Sequence, residues 1–188
     1  MNVRRTLPAL VLLAALVTGC STVQHQDSTD GPLDQPGDSD GGSGVECIPA
    51  KTGGSIFFGG DELHNYGHKA LVIDKITLRK ASGVRLVEAL IVSNSSSFIG
   101  YGHGWPPDPE ARTGPGIDWA HRRKAVGATI SPQSDHAKVA NNLVLHLQVT
   151  AASGARMAGI QVRYHVDGSA YMWDNALGLT VETKKTSC

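Results

Sequence analysis

Three consecutive runs of alternating apolar and polar residues fill the last quarter of the chain, at 142–150, 158–166 and 177–183. In the first run, Leu143, Leu145, Leu147 and Val149 fall on one side of an extended chain. A period of two is that of a β-strand with one face on a hydrophobic core and the other in water. The chain is therefore expected to fold around strands that need a second layer to cover their apolar faces.

Turn chemistry and further apolar runs extend this pattern. Asp167-Gly168 separates the second run from 169–173 and predicts a two-residue hairpin, because Gly tolerates the positive φ of such turns. Other runs lie at 53–58, 70–78, 84–92 and 126–130. Asp74 and Glu88 interrupt two of them, which a bulge or an edge position would explain. Seven or eight strands without a helical pattern predict an antiparallel, immunoglobulin-like β-sandwich.

The first 20 residues have the features of an export signal. Arg4 and Arg5 precede an apolar run at 7–17, which is too short to span a bilayer that needs about 20 residues. The sequence Val17-Thr18-Gly19-Cys20 that follows resembles the lipobox of bacterial lipoprotein precursors. The resemblance implies cleavage after residue 19, a diacylglyceryl group on Cys20, and attachment to the outer side of the cell membrane. An ordinary cleaved signal with a coincidental Cys is the alternative.

With Cys20 assigned to lipid, Cys47 and Cys188 are the remaining cysteines, and export places them in an oxidising compartment. We expect a disulfide between them that ties the two ends of a 47–188 domain together. Metal ligation or a redox pair is the alternative for these two residues.

The stretch between Cys20 and Cys47 is rich in Gly, Asp, Ser and Pro, and it contains six acidic residues but no Lys or Arg. Such a composition cannot bury enough apolar surface to offset the entropy of ordering, so 20–46 is predicted to be a flexible acidic linker. The 47–188 domain holds 15 Lys and Arg against 11 Asp and Glu. That excess is too small and scattered to indicate a nucleic-acid partner.

The stretch 98–124 interrupts the strand pattern with Gly, Pro and aromatic residues. A loop of this length in a small domain is either functional or an ordered excursion over the surface. The aromatic members could form a platform for an envelope glycan or protein, or they could fold back and cap the core. The candidate binding residues are Tyr101, His103, Trp105, Asp118 and Trp119. The Pro-rich mid-loop and the final Cys also resemble a group of small secreted lipoproteins of high-GC Gram-positive bacteria, which implies no particular activity.

Histidines supply a second hypothesis, a metal-handling protein that uses His64, His68 and His103. His146 and His165 are expected on the outward faces of neighbouring strands, where they could be cross-strand partners. Catalysis is not expected, because Gly-x-Ser-x-Gly is absent and Ser134-Asp135-His136 are sequence neighbours, unlike the members of a catalytic triad. The sequence predicts neither an enzyme nor a cofactor.

Overall fold

The computed structural model describes residues 28–33, 44–96, 99–133, 139–184 and 187–188. These residues form twelve β-strands and one short helix, α1 (Pro109–Thr113). The strands are β1 (Val45–Pro49), β2 (Ser55–Leu63), β3 (Leu71–Leu78), β4 (Val84–Asn94), β5 (Gly100–His103), β6 (Asp118–Lys124), β7 (Thr129–Ile130), β8 (Ala140–Val149), β9 (Ala155–Met157), β10 (Ile160–Val166), β11 (Ser169–Asn175) and β12 (Gly178–Glu182).

The strands form three sheets. A five-stranded sheet has the order β5-β2-β8-β4-β6, and a four-stranded sheet has the order β11-β10-β3-β7. Every pairing within these two sheets is antiparallel. A small third sheet, β1-β12-β9, contains one parallel pair, between β1 and β12. The predicted all-β, antiparallel sandwich is confirmed.

The main core contains alternate residues from all three sheets. Leu143, Leu145 and Leu147 of β8 are fully buried there, as the period of two in that run predicts. Ile73 of β3 and Leu179 of β12 contribute from the other two sheets. Apolar burial of this kind stabilises by about 25 cal/mol per Å² of surface removed from water. The core therefore accounts for the strand pattern from which the fold was predicted.

The strand number is larger than the predicted seven or eight, because four short strands lack the alternating pattern. Gly100 and Gly102 remove the side chains by which β5 could be recognised. Charged side chains dominate β6, where only Trp119 is buried. The strand β9 has three residues, and β1 begins at Val45, inside the predicted linker.

Two irregularities explain the acidic residues that interrupt apolar runs. On β3, the register with β10 shifts so that Lys75 and Ile73 have partners while Asp74 between them does not. On β4, the register with β8 shifts between Leu86 and Glu88. A bulge inserts one residue and so re-phases the faces that follow it. The Asp167-Gly168 turn has the predicted form, with φ values of 48° and 82°.

The predicted disulfide between Cys47 and Cys188 is present, with its Cα atoms 5.9 Å apart. It joins β1 to the segment that follows β12, across a sequence separation of 141. In the chain-entropy account, closing so long a loop stabilises the fold by about 5 kcal/mol.

One expected pairing is wrong. His146 and His165 are not cross-strand partners, because β8 belongs to the five-stranded sheet and β10 to the four-stranded sheet. His146 lies opposite Glu88 of β4. Nδ1 of His165 lies within hydrogen-bond distance of a carboxylate oxygen of Asp74 on β3, at 2.8 Å. Strands that follow each other in sequence were taken to be neighbours, but the short strand β9 carries the chain across to the other layer.

Part of the predicted linker belongs to the folded domain. Residues 28–33 lie against the four-stranded sheet, and Leu33 is 1% exposed within the main core. Composition predicted a flexible linker because it averages over the stretch and gives little weight to one apolar side chain. The predicted signal peptide, the sequence that resembles a lipobox and Cys20 lie outside the described residues, as do Ser134, Asp135 and His136. Among the described residues, no helix is long and apolar enough to cross a membrane.

Candidate functional site

The segment between β4 and β7 covers the outer face of the five-stranded sheet. Trp119 of β6, 9% exposed, packs there against Val144 of β8 and Phe57 of β2. The complete second cluster is Phe57, Leu90, Val92, Ile99, Trp119 and Val144, with Trp105, Ala111 and Ile117 packed at its margin. This face was expected to be solvated, but Phe57, Leu90 and Val144 on it are buried in this second cluster. Trp119 therefore caps a second small core, which agrees with the capping alternative.

Four side chains form a continuous row over this face, and we call them the aromatic row: Arg122, Trp119, Trp105 and His146. The guanidinium carbon of Arg122 lies 5.2 Å from the ring centroid of Trp119. Trp119 meets Trp105 edge to face, with centroids 6.1 Å apart and planes inclined by 72°. Trp105 in turn lies parallel to His146, at 4.5 Å and 4°. Each contact has a geometry that the quadrupole of an aromatic ring favours.

Backbone hydrogen bonds fix the position of Trp105. The amide of Gly104 donates to the carbonyl of Ser55 at 2.8 Å, which ties the chain to the start of β2. Gly104 has a φ of 85°, a conformation that favours Gly, and the Trp105–Pro106 peptide bond is cis. A carboxylate oxygen of Asp108 then accepts from the amide of Ala111 at 2.8 Å and caps α1. Trp105 is thus held on an ordered scaffold and is only partly buried.

His146 is the polar member at the centre of the sheet. Its Nε2 lies 2.9 Å from the hydroxyl oxygen of Ser55. Burial lowers the pKa of His146, and Arg85 lowers it further, while Glu88 acts in the opposite direction. The neutral imidazole is therefore favoured, and it can both donate and accept a hydrogen bond.

The rim of the aromatic row on the β8 side is polar. Arg85 donates a hydrogen bond to the side-chain oxygen of Gln148, its partner across β4 and β8. Glu88 occupies the position opposite His146. The indole is thus bordered by an imidazole, a hydroxyl, an amide and one charge of each sign. Such a surface can stack on the ring of a ligand and form hydrogen bonds with the substituents of that ring.

The structure divides the predicted binding residues between two faces. Tyr101 pairs with Phe58, whose side chain is in the main core, and the two rings stack at 6.4 Å. Its hydroxyl bonds to Glu46, and that hydrogen bond raises the pKa of Tyr101. His103, which pairs with Ile56, has the same orientation and is exposed. Cross-strand partners share a face, so Tyr101 and His103 lie on the opposite side of the sheet from Trp105.

Asp118 is also separate from the aromatic row. It precedes Trp119 on β6, and successive side chains of a strand point to opposite faces. Its carboxylate lies 2.9 Å from Nδ1 of His121, and this hydrogen bond lowers the pKa of Asp118. Of the five predicted binding residues, Trp105 and Trp119 are therefore the pair that the fold brings together. His146, Ser55 and Arg85 were missed, and the outward position of His146 in the β8 pattern was the available signal.

The three candidate metal ligands do not share a site. His64 follows β2, forms a 3.4 Å ion pair with Glu62 and stacks on Tyr66 at 5.9 Å. His103 pairs with Ile56 near the other end of β2, roughly 25 Å away at the rise of a strand. His68 is exposed in the turn before β3. Across the described part of the chain, no group of three His, Cys, Asp or Glu residues is placed to hold a metal ion.

Comparisons with known proteins add no family to this description. The chain matches no protein family and no curated protein sequence.

Proposed function

We propose that this protein is a lipoprotein, anchored by Cys20 on the extracytoplasmic side of the cell membrane, whose β-sandwich domain binds a component of the cell envelope. The anchor is supported by the export signal and the Val17-Thr18-Gly19-Cys20 sequence. The Cys47–Cys188 disulfide also supports export, because structural disulfides persist in oxidising compartments. The proposed role is binding, and it includes no catalytic step.

One observation carries the binding proposal: Trp105 is held flat on His146 by an ordered loop and remains partly exposed. A rigid indole presents a large apolar surface at a small cost in conformational entropy. Polar groups border it on the β8 side, at Ser55, Gln148 and Arg85. Sugar rings combine an apolar face with a rim of hydroxyls, so an envelope glycan is the ligand class that this surface fits best.

A binding assay with purified cell walls tests this proposal. Trp105→Ala should abolish retention of the protein by cell walls, and Trp105→Phe should retain part of it, because the smaller ring still stacks. Tyr101→Ala is the matched control, since it removes an exposed aromatic ring from the opposite face of the same sheet. Equal retention of the Trp105→Ala variant and the wild type would overturn the proposal. Retention by protein-containing envelopes but not by purified glycan would replace the glycan with a protein partner.

The anchor is tested separately by metabolic labelling with a fatty acid. The wild type should incorporate the label and partition into membranes, whereas Cys20→Ser should do neither. Fatty-acid label in the Cys20→Ser variant would show that the lipid is attached at another residue.

A further inference from the structure

The aromatic row carries a cation at its β6 end. The guanidinium carbon of Arg122 lies 5.2 Å from the ring centroid of Trp119, and Nη1 of the same group donates a 3.1 Å hydrogen bond to the carbonyl oxygen of Trp119. Both contacts are with neutral groups, so they position the side chain without cancelling its charge. Arg122 is exposed. This end of the row therefore presents a positioned positive charge beside an indole.

A second cation lies beyond the other end of the row. Arg85 is exposed on β4 and donates a hydrogen bond to the side-chain oxygen of Gln148, which is again a neutral acceptor. Gln148 follows His146 by two residues on β8, so Arg85, Gln148 and His146 share the outer face of the sheet. The charge of Arg85 acts on the imidazole, because it is one of the causes that lower the pKa of His146.

The outer face beside the row is more basic than acidic. Lys124 of β6 is exposed and pairs with Leu90, a member of the second cluster, so Lys124 is on this face as well. Glu88 is a half-buried carboxylate on β4, and Glu62 is half-buried near the end of β2, where it accepts a 2.9 Å hydrogen bond from Asn94. The exposed charges that β4 and β6 present on this face are thus positive.

The length of the row limits the size of the ligand. Its three contacts measure 5.2, 6.1 and 4.5 Å, so the row from Arg122 to His146 spans at most about 16 Å. Arg85 lies further along the sheet, opposite Gln148. A single ring stacked on Trp105 covers only part of this distance. A ligand that reaches both arginines must therefore contain several linked rings.

We propose that the ligand of the aromatic row is an acidic polysaccharide of the cell envelope, whose sugar rings stack on Trp105 while its anionic groups bind Arg122 and Arg85. This inference rests on the proposed function and narrows the ligand from glycans in general to acidic ones. A guanidinium binds a carboxylate and a phosphate with the same pair of N–H donors. Polysaccharides with uronic acids and polysaccharides with phosphodiester links therefore share the chemistry that this surface recognises.

Chemical neutralisation of wall polysaccharide tests the proposal with the full-length protein in detergent. Peptide-free polysaccharide from purified cell walls is immobilised at equal sugar content in four forms. The forms are untreated, with carboxylates reduced to alcohols, with phosphodiesters cleaved by hydrogen fluoride, and with both treatments. The untreated form should retain the wild type, and one of the two single treatments should lower retention about tenfold, as expected for the loss of two exposed ion pairs. The effective treatment identifies the anion as a carboxylate or a phosphodiester.

Charge variants test the assignment to the two arginines. Arg122→Gln and Arg85→Gln should each lower retention by the untreated form about threefold, and the double variant about tenfold. Arg122→Lys keeps the charge and should keep most of the retention, which separates an electrostatic role from packing against Trp119. Arg156→Gln is the matched control, because it removes an exposed arginine from β9 in the third sheet. Loss of retention in Arg156→Gln equal to that in the double variant would overturn the assignment.

Salt dependence supplies an independent measurement on the same variants. Sodium chloride at 1 M shortens the screening length to about 3 Å and should lower retention of the wild type towards that of the Arg122→Gln, Arg85→Gln double variant. An equal salt dependence in these two proteins would contradict a role for the arginines in binding.

The four forms of polysaccharide also separate this inference from the proposed function. Retention of the wild type that survives both treatments together would overturn the acidic ligand and leave glycan binding intact. A wild type that the untreated form does not retain contradicts glycan binding itself, and the acidic ligand falls with it.

Discussion

The indole of Trp105 lies parallel to the imidazole of His146, with ring centroids 4.5 Å apart. The contact joins a residue of an irregular loop to the central strand of a five-stranded sheet. It therefore positions the loop on the sheet. The indole also covers one face of the imidazole and so adds to the burial that lowers the pKa of His146. The stability of this contact should respond to pH as well as to substitution.

The pH response follows from the direction of the His146 pKa. Burial lowers the pKa of His146 in the folded protein, so the unfolded chain binds a proton more readily at this site. The contribution of this site to stability should be fully present above the ordinary His pKa of about 6.5 and should decline below it. The free energy of unfolding, measured with urea at one pH above and one pH below that value, should fall at the lower pH in the wild type. The fall should be smaller in His146→Gln. An equal decline in both proteins would contradict the assignment.

Substitution of the two tryptophans should separate a buried role from an exposed one. Trp119→Ala removes a buried ring from the second cluster and should cost about 3 kcal/mol of the free energy of unfolding. Trp105→Ala removes a partly exposed ring and should cost about 1 kcal/mol, mainly its stacking contacts. Chemical denaturation of both single variants and the double variant measures these costs and their coupling. Equal costs for the two substitutions would show that Trp105 is as deeply built into the fold as Trp119.

Two apolar residues of the predicted linker should differ in their effect on stability. Leu33→Ala should lower the free energy of unfolding by about 3 kcal/mol, because the side chain is buried in the main core. Val45→Ala is the control, since Val45 is 69% exposed, and it should change the stability by less than about 0.5 kcal/mol. Thermal and urea unfolding of the two variants would check this. A Leu33→Ala variant as stable as the wild type would mean that residues 28–33 are not packed against the domain.

Tyr164 should titrate later than a tyrosine of ordinary pKa. Burial raises the pKa of Tyr164 to about 12, whereas the hydrogen bond from Leu33 acts in the opposite direction. Its folded-state pKa lies above the unfolded value of about 10, so the stability it contributes is present below that pH and is lost as the pH rises towards 12. Ultraviolet titration of phenolate should show a late-titrating group that Tyr164→Phe removes. An unchanged titration curve in that variant would contradict the assignment.

The parts of the fold that sequence reasoning predicted are those in which burial follows a period of two. Each of these features is visible in residues that are close together in the sequence. They are the alternating apolar residues of β8, the Asp167-Gly168 turn and the irregularities near Asp74 and Glu88. The Cys47–Cys188 bridge was predictable because one pairing remained once Cys20 was assigned to lipid.

The features that were missed depend on partners that are distant in sequence. In the sequence, Leu33 is a single apolar residue in a polar stretch. Its contact with Tyr164, which is 131 residues later, exists only in the folded chain. Trp105 was recognised as a candidate, but its partner His146 belongs to a strand that follows a different loop. Val144 was expected in water because alternation identifies two faces without showing what covers the second one.

The disulfide has a mechanical consequence. A force applied between Ser28 and Cys188 would be transmitted through the sulfur–sulfur bond to Cys47 and then through residues 34–46 to residues 28–33. The sheets between Cys47 and Cys188 lie outside this loaded path. Tension would therefore detach residues 28–33 from Tyr164 and Tyr171 before it reached β2 to β12. The connection to the domain would lengthen while the sheets kept their fold.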